Sequence, residues 1–251
     1  MTWLLDRQTP HRADGGAEER EVSSGVPKPG DDNLFEPGRV PEQRPGKAGG
    51  KRDRNRQERT RALCDAALVE FLERGVERVT VDEITKAAGV AKGSFYRYFE
   101  DKSQVVEALF APLRKEVEQA LSQCGRELAE ARSNETLTTA YQTLAMQMGQ
   151  AALREPRLVK LYLQECRGPA EGARAPIRAL RDEINQAAVA LTEAAHQNQL
   201  LRDLPPRITA YAVVGAVETL LIAVFDGEQL GSPAEATQAL VSMVLDGVRK
   251  R

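Results

Sequence analysis

Histidine, cysteine and aromatic residues are scarce in this 251-residue chain, and their scarcity excludes several kinds of site. The only histidines are His11 and His196, and no cysteine or histidine pair has metal-site spacing. The sequence also lacks a glycine-rich phosphate loop, a nucleophile elbow and an HExxH run. We therefore predict no catalytic residue, no metal, no cofactor and no enzymatic activity.

The cysteines Cys64, Cys124 and Cys166 are odd in number and widely spaced along the chain. This usage indicates a reducing compartment without a disulfide framework. We interpret all three as packed helix residues, and a redox sensor is the alternative.

Long hydrophobic runs are not expected from the sequence either. We expect no apolar run that approaches the ~18 residues needed to span a membrane. The leading MTWLL is too short for the core of a signal peptide. We therefore predict a protein that has no membrane partner.

The net charge of −2 excludes a globally basic nucleic-acid binder, so the position of the charges is more informative. Residues 51–61 contain six basic and two acidic residues, a local charge of +4. Residues 103–251 are close to neutral, with 16 basic and 18 acidic residues. The basic run is therefore expected to contact DNA, either at phosphates or as a mobile arm in the minor groove.

The most informative segment is TVDEITKAAGVAKGSFYRYFEDK, residues 80–102, which has the pattern of two short helices joined by a tight turn. Thr80 and Glu83 form a Thr-x-x-Glu capping box at the start of the first helix. Gly89 is expected to end that helix with a positive φ. Ile84, Ala87 and Ala88 are expected on its inner face, with Val90 anchoring the turn.

The second helix is predicted over residues 92–98, with Phe95 and Phe99 facing inward because they are four residues apart. Its first residues present free N–H groups, and Gly93 permits close approach of a phosphate. The whole unit fits a helix-turn-helix. Residues 55–74, with the stripe Leu63, Ala67 and Phe71, are predicted to form the helix before it.

This segment resembles the DNA-binding domain of TetR-type transcriptional regulators. The shared pattern consists of Phe71, Gly75, Thr80, Ala88-Gly89-Val90, Lys92-Gly93, Tyr96, Tyr98-Phe99 and Lys102. The resemblance covers about 50 residues, and Phe95 stands where an aliphatic residue is more usual.

The resemblance implies a DNA-binding role for eight residues: Thr80, Lys92, Gly93, Ser94, Tyr96, Arg97, Tyr98 and Lys102. Thr80 would cap its helix and touch phosphate, and residues 92–94 would meet the DNA backbone. Arg97 would read a base, because a guanidinium makes a bidentate bond to guanine. Tyr96 and Tyr98 would contact phosphates or base edges. Lys102 would pair with a phosphate.

Three regions are expected along the chain. Residues 1–50 hold eight glycines and six prolines, a composition that predicts a disordered tail, with a regulatory arm or a later translation start as alternatives. Residues 51–102 are the predicted helix-turn-helix domain. Residues 103–251 have helical periodicity, with predicted helices near 103–132, 134–153, 156–167, 173–198, 206–226 and 233–249, so the fold is predicted to be all-α.

The last two predicted helices indicate a homodimer. Residues 209–227 are apolar nearly all round, and the last helix carries a stripe that includes Leu240, Val241 and Leu245. Together they would form a face that packs against its copy. The resemblance implies the same dimer, which would match a palindromic operator.

The resemblance also implies an effector pocket in the C-terminal domain, for which we expect a small, largely apolar ligand. The candidate lining residues are Tyr141, Met146, Met148, Leu161, Tyr162 and Cys166. Residues of these types at helical spacing more often belong to an ordinary core.

The resemblance thus implies a cytoplasmic, homodimeric, sequence-specific DNA-binding regulator, most simply a ligand-responsive repressor. A regulator without a ligand, or an activator, shares the DNA-binding prediction. An alternative from another class is a helical small-molecule-binding or interaction module that does not bind DNA.

Overall fold

The computed structural model describes residues 50–248, and within that range helices joined by turns and loops make up the chain, without a β-strand. The helices are α1 Lys51–Arg74, α2 Val81–Ala87, α3 Lys92–Phe95, α4 Lys102–Glu130, α5 Asn134–Arg154, α6 Pro156–Glu165, a 3-10 turn Gly172–Arg174, α7 Ala175–Gln197, α8 Pro206–Phe225 and α9 Pro233–Val248. The all-α prediction is therefore confirmed. The predicted tail, residues 1–50, lies outside the described residues apart from Gly50.

The first three helices share one core. The predicted stripe of α1 is completely buried at Leu63, Ala67 and Phe71, and Phe95 and Phe99 enter the same cluster. Thr80 caps α2, since its Oγ1 accepts a hydrogen bond from the Glu83 backbone N–H at 3.3 Å. In return, the Glu83 carboxylate accepts a hydrogen bond from the Thr80 backbone N–H at 2.7 Å. The predicted capping box is confirmed.

Two details of the predicted helix-turn-helix were wrong. Helix α3 ends at Phe95, not at residue 98, because Tyr98 N–H donates to the Phe95 carbonyl in a tighter three-residue turn. On α2, Ile84 is buried and Ala88 packs against the core as predicted, but Ala87 is exposed and Thr85 is buried in its place. Burial of Thr85 costs little because its hydroxyl donates to the Asp82 carbonyl at 3.0 Å.

The long helix α4 connects these helices to the rest of the chain. Its N-terminal half contributes Val105, Val106 and Phe110 to the core that α1, α2 and α3 share. The same core continues into α6 and α7, while the C-terminal half of α4 packs with α5, α7 and α9 in a second cluster. The predicted domain boundary at residue 102 therefore lies at the start of α4, and one core extends across it. The division into two domains stays a prediction.

Helix α8 departs from expectation in one respect. By length and composition, this 20-residue helix is apolar enough to cross a membrane, so the predicted lack of any such run was wrong. Helices of soluble proteins pass the same test, and α8 packs on α7 and α6. In the single chain, its side chains Ile208, Tyr211 and Val224 are exposed.

Helix α9 packs mainly against α5, into which it buries Val241 and Leu245. Part of its predicted dimer stripe is thus used within the chain. Met243, on its other side, is 65% exposed.

Gly89 makes the turn of the helix-turn-helix possible, since its φ of 66° lies in the left-handed region. Gly89→Ala is expected to destabilise the fold by about 1–2 kcal/mol, because a Cβ is strained at this φ. Gly93→Ala is the matched control, since Gly93 lies in a helix with ordinary φ and a Cβ there would point into open space. Urea unfolding measures both, and equal midpoint changes for the two variants would contradict the role of Gly89.

Candidate nucleic-acid interface

The turn between α2 and α3 is held by backbone geometry and by buried side chains. Val90 N–H donates to the Thr85 carbonyl at 2.9 Å, and Ile84 and Phe95 anchor the two helices in the core. Because the inner side of this short unit is committed to the core, the remaining side chains of residues 92–97 face outward.

Four of the eight predicted DNA-binding residues lie together on that outer surface: Lys92, Gly93, Tyr96 and Arg97. Tyr96 is 49% exposed, although its ring also contacts the edge of Phe95. Gly93 has no heavy atom within 4 Å of the position that a Cβ would take. The combination of a cation, a guanidinium, a phenol and an open backbone is the chemistry that DNA phosphates and base edges accept.

Lys92 forms an ion pair with Asp82 of α2 at 2.8 Å. The hydrogen bond to Asp82 raises the pKa of Lys92, which keeps the ammonium charged. An exposed pair of this kind contributes little to stability, so a phosphate can compete with Asp82 for the lysine.

The other four predicted residues are more constrained. Thr80 is exposed but its hydroxyl is bonded to Glu83. Ser94 is half-buried at the start of α3, and Tyr98 is half-buried against the core. Their contacts with DNA stay predictions.

Lys102 has a second set of partners, which the sequence did not indicate. Its Nζ donates to the carbonyls of Val76 at 2.9 Å and Glu77 at 3.1 Å. An ammonium group has three N–H donors, so one remains for the predicted phosphate. Lys102 therefore has a structural role at the start of α4 whether or not it also contacts DNA.

The basic run preceding this unit is helical within the described residues. Arg54, Arg56, Arg59 and Arg61 belong to the first turns of α1, and all four are exposed. Of the two predicted modes, a helix that lies along phosphates fits this geometry, while an extended arm does not fit residues 51–61.

Helices α1 and α2 are joined by a charged cluster that sequence reasoning missed. Arg74, in the last turn of α1, donates to Glu83 Oε1 at 2.5 Å and also pairs with Glu70. The Arg74–Glu83 bond and the Thr80 bonds lower the pKa of Glu83 to about 2. The i,i+4 spacing of Glu70 and Arg74 was the only local signal for this cluster.

The six predicted ligand-binding residues are not brought together around one cavity. Leu161, Tyr162 and Cys166 belong to the first core and Met148 packs against it, whereas Tyr141 packs against the second core. Met146 is 54% exposed. Two open grooves lie elsewhere, on polar side chains of α4 and α5 that include Gln123.

The three cysteines occupy low-dielectric surroundings. Burial raises the pKa of Cys64 to about 11 and that of Cys124 to about 12, and it also raises the pKa of Cys166. Because the thiolate is the reactive form, these environments favour packed cysteines over a redox sensor.

Comparison with known proteins identifies the N-terminal part of the chain. Residues 63–109 match the family model described as bacterial regulatory proteins, tetR family. The chain is similar to the TetR family over this region. Its matched region covers α2, α3 and the surface that carries Lys92 and Arg97.

Curated TetR-family relatives match over the same part. The nucleoid occlusion factor SlmA of Haemophilus ducreyi is 44% identical over 50 residues, 20% of this chain and 23% of SlmA. The regulator TtgR of Pseudomonas putida is 36% identical over 66 residues, 26% of this chain and 31% of TtgR. The match thus spans about a quarter to a third of these relatives.

Solved structures of TetR-family regulators share the fold over most of the described chain. NalD, the secondary repressor of the MexAB-OprM multidrug efflux pump in Pseudomonas aeruginosa, aligns with a TM-score of 0.59 at 19% identity, over 77% of this chain and 98% of NalD. FadR from Bacillus subtilis, solved with stearoyl-CoA, aligns with a TM-score of 0.56 at 17% identity, over 74% of this chain and 98% of FadR. At these identities the likeness establishes the fold.

The low pKa of Glu83 predicts an acid-sensitive contact between α1 and α2. A carboxylate whose pKa falls from 4.5 to about 2 on folding stabilises the protein above pH 4.5, and this contribution is lost as the pH falls towards 2. Glu83→Gln is therefore expected to destabilise the protein at pH 7, and the difference from wild type is expected to shrink between pH 4.5 and pH 3.

Urea midpoints at several pH values measure this difference. Glu73→Gln, which alters an exposed carboxylate on α1, is the control and is expected to have little effect. A difference between wild type and Glu83→Gln that is the same at pH 7 and pH 3 would count against the ion pair.

Proposed function

We propose that this protein is a sequence-specific DNA-binding transcriptional regulator that acts as a homodimeric repressor on a palindromic operator. The observation that carries the proposal is the outward surface of the helix-turn-helix, formed by Lys92, Gly93, Tyr96 and Arg97 above the buried Phe95. The TetR-family match over residues 63–109 supports it.

In this proposal, α3 enters the major groove with its N-terminal end against the DNA backbone. Lys92, Gly93 and Ser94 meet phosphates there, and Arg97 reads a base edge. Tyr96 contacts a phosphate or a base, and Thr80 and Lys102 add backbone contacts at the margins. The exposed arginines of the first turns of α1 supply sequence-independent attraction.

The exposed apolar face of α8, together with Met243 of α9, is the proposed dimer surface. Ile208 and Tyr211, three residues apart on one side of the helix, are 67% and 47% exposed. A two-fold dimer through this face would present two copies of α3 to the two half-sites of a palindrome.

We further propose that residues 103–251 bind a small apolar effector that alters the spacing of the two DNA-binding units. FadR from Bacillus subtilis was solved with stearoyl-CoA, whose acyl chain is long and apolar, and NalD and SmeT are repressors of multidrug efflux pumps. These similarities favour an apolar ligand. The same similarity supports a bacterial cytoplasmic location.

Selection of bound duplexes from a random-sequence library tests the proposal. The expected result is enrichment of one inverted-repeat sequence, in keeping with a two-fold dimer. Recovery of duplexes without a common sequence would contradict sequence-specific binding and would favour the alternative, a helical module that does not read DNA.

Arg97→Ala is expected to relax the preference at one base pair of the enriched site by about 1–3 kcal/mol, because a bidentate contact to that base is removed. Titrations of the variant on the matched duplex and on duplexes with single substitutions measure the effect. Arg157→Ala, which removes an exposed arginine from α6, is the control. Equal loss of affinity on matched and scrambled duplexes would exclude base reading by Arg97.

Ile208→Glu is expected to raise the dimer dissociation constant about tenfold or more, because the interface would then bury an unpaired charge. Analytical ultracentrifugation over a concentration series measures the change. Leu153→Glu is the control, since Leu153 is 65% exposed but lies on α5. Identical sedimentation of the Ile208 variant and wild type would place the dimer surface elsewhere.

A further inference from the structure

Glu165, the last residue of α6, is a buried carboxylate in a largely apolar region. Its Oε1 accepts from the Val76 backbone N–H at 3.2 Å, across 89 residues of sequence. Its Oε2 accepts from Arg174 Nε at 2.7 Å. A buried charge is retained only where it is paired and hydrogen-bonded, and both oxygens of Glu165 meet that condition.

The segment that Glu165 contacts is the turn between α1 and α2, residues 75–77. The same turn is bonded on two other sides. Lys102 donates to the carbonyls of Val76 and Glu77, and the Arg174 N–H donates to the Glu77 carboxylate at 3.1 Å. The hydrogen bonds described between this turn and the region after α4 therefore pass through Glu165 and Arg174.

Glycines make room for this arrangement. A Cβ at Gly75 would lie 2.9 Å from Glu165 Oε1, and one at Gly168 would lie 2.5 Å from Arg174 Nε. At Gly172, where φ is +53°, a Cβ would lie 3.0 Å from the Glu77 carboxylate. Three separate close approaches to the same group of side chains indicate that the contact is built into the fold.

Helix α6 is bonded at its other side to the proposed dimer helix. Tyr162, one turn before Glu165, donates to Glu218 Oε1 of α8 at 3.0 Å. Arg167, just after α6, donates to the other oxygen of Glu218 at 3.2 Å. The ten-residue α6 is thus bonded to α8 by one side chain and to the turn before α2 by another.

We propose that Glu165 is a positioning residue for the DNA-reading unit: with Arg174, it holds the turn 75–77 and so sets the placement of α2 and α3 relative to α6 and α8. The DNA-binding consequence rests on the function proposed above. The ion pair acts on operator affinity through placement, since neither residue belongs to the outward surface of α3.

A double-mutant cycle tests the proposal in the full chain. Glu165→Gln keeps an acceptor for Val76 but removes the charge that pairs with Arg174, and Arg174→Gln keeps the carboxylate bonded to Val76. The control is Glu116→Gln, which alters an ion pair with Arg154 between α4 and α5. Hydrogen exchange of residues 75–80 and operator affinity are measured for each variant after circular dichroism confirms equal helix content.

Each single variant is expected to speed exchange of residues 75–80 and to weaken operator binding about tenfold, and the double variant is expected to be no weaker than either single. Exchange at wild-type rates in both variants would show that Glu165 and Arg174 do not hold the turn 75–77. Faster exchange with operator affinity within twofold of wild type would overturn the positioning role. A wild-type protein that prefers no duplex would instead overturn the proposed function. The exchange rates would still show whether Glu165 and Arg174 hold the turn 75–77.

Discussion

The structure of the DNA-reading unit depends on the burial of a few large apolar side chains in one shared core. Helices α2 and α3 have seven and four residues, lengths at which a helix in water is not stable alone. Ile84 and Phe95 are completely buried against Phe71 of α1, and this packing determines their orientation. The outward placement of Lys92, Tyr96 and Arg97 is the geometric consequence, since they occupy the remaining side of the same short segment.

The same core extends beyond the helix-turn-helix into α4, α6 and α7, so the reading surface is not independent of the C-terminal helices. Polar contacts reinforce the connection at the turn before α2, where Lys102 approaches from one side and Glu165 from the other. Apolar packing stabilises this connection in proportion to the apolar area that it buries. The hydrogen bonds to the turn add direction, which packing alone does not provide.

Local patterns in the sequence were sufficient for the parts of the fold that depend on local interactions. The Thr80–Glu83 capping box, the positive φ of Gly89 and the inward Phe95 and Phe99 were all predicted and confirmed. Each follows from residues within four positions of one another. The early end of α3 was missed because a three-residue turn and a continuing helix share the same pattern there.

Contacts between residues far apart in the sequence could not be predicted from local patterns. Glu165 and Val76 are 89 residues apart, and the sequence contains no signal that pairs them. The predicted ligand-binding residues were placed in different clusters for a related reason. Tyr141 and Leu161 have the periodicity of core residues, which does not indicate the cluster to which each belongs. The composition of α8 does not decide what covers it, because an apolar helix is compatible with a core, a partner surface or a membrane.

The central claim is that the surface formed by Lys92, Gly93, Tyr96 and Arg97 reads DNA. Fluorescence anisotropy on the selected inverted repeat and on a scrambled duplex, across a salt series, tests it most directly. We expect tight binding to the repeat, weak binding to the scrambled duplex, and a salt slope of about −0.9 for each phosphate neutralised. Equal, weak binding to both duplexes would contradict the claim.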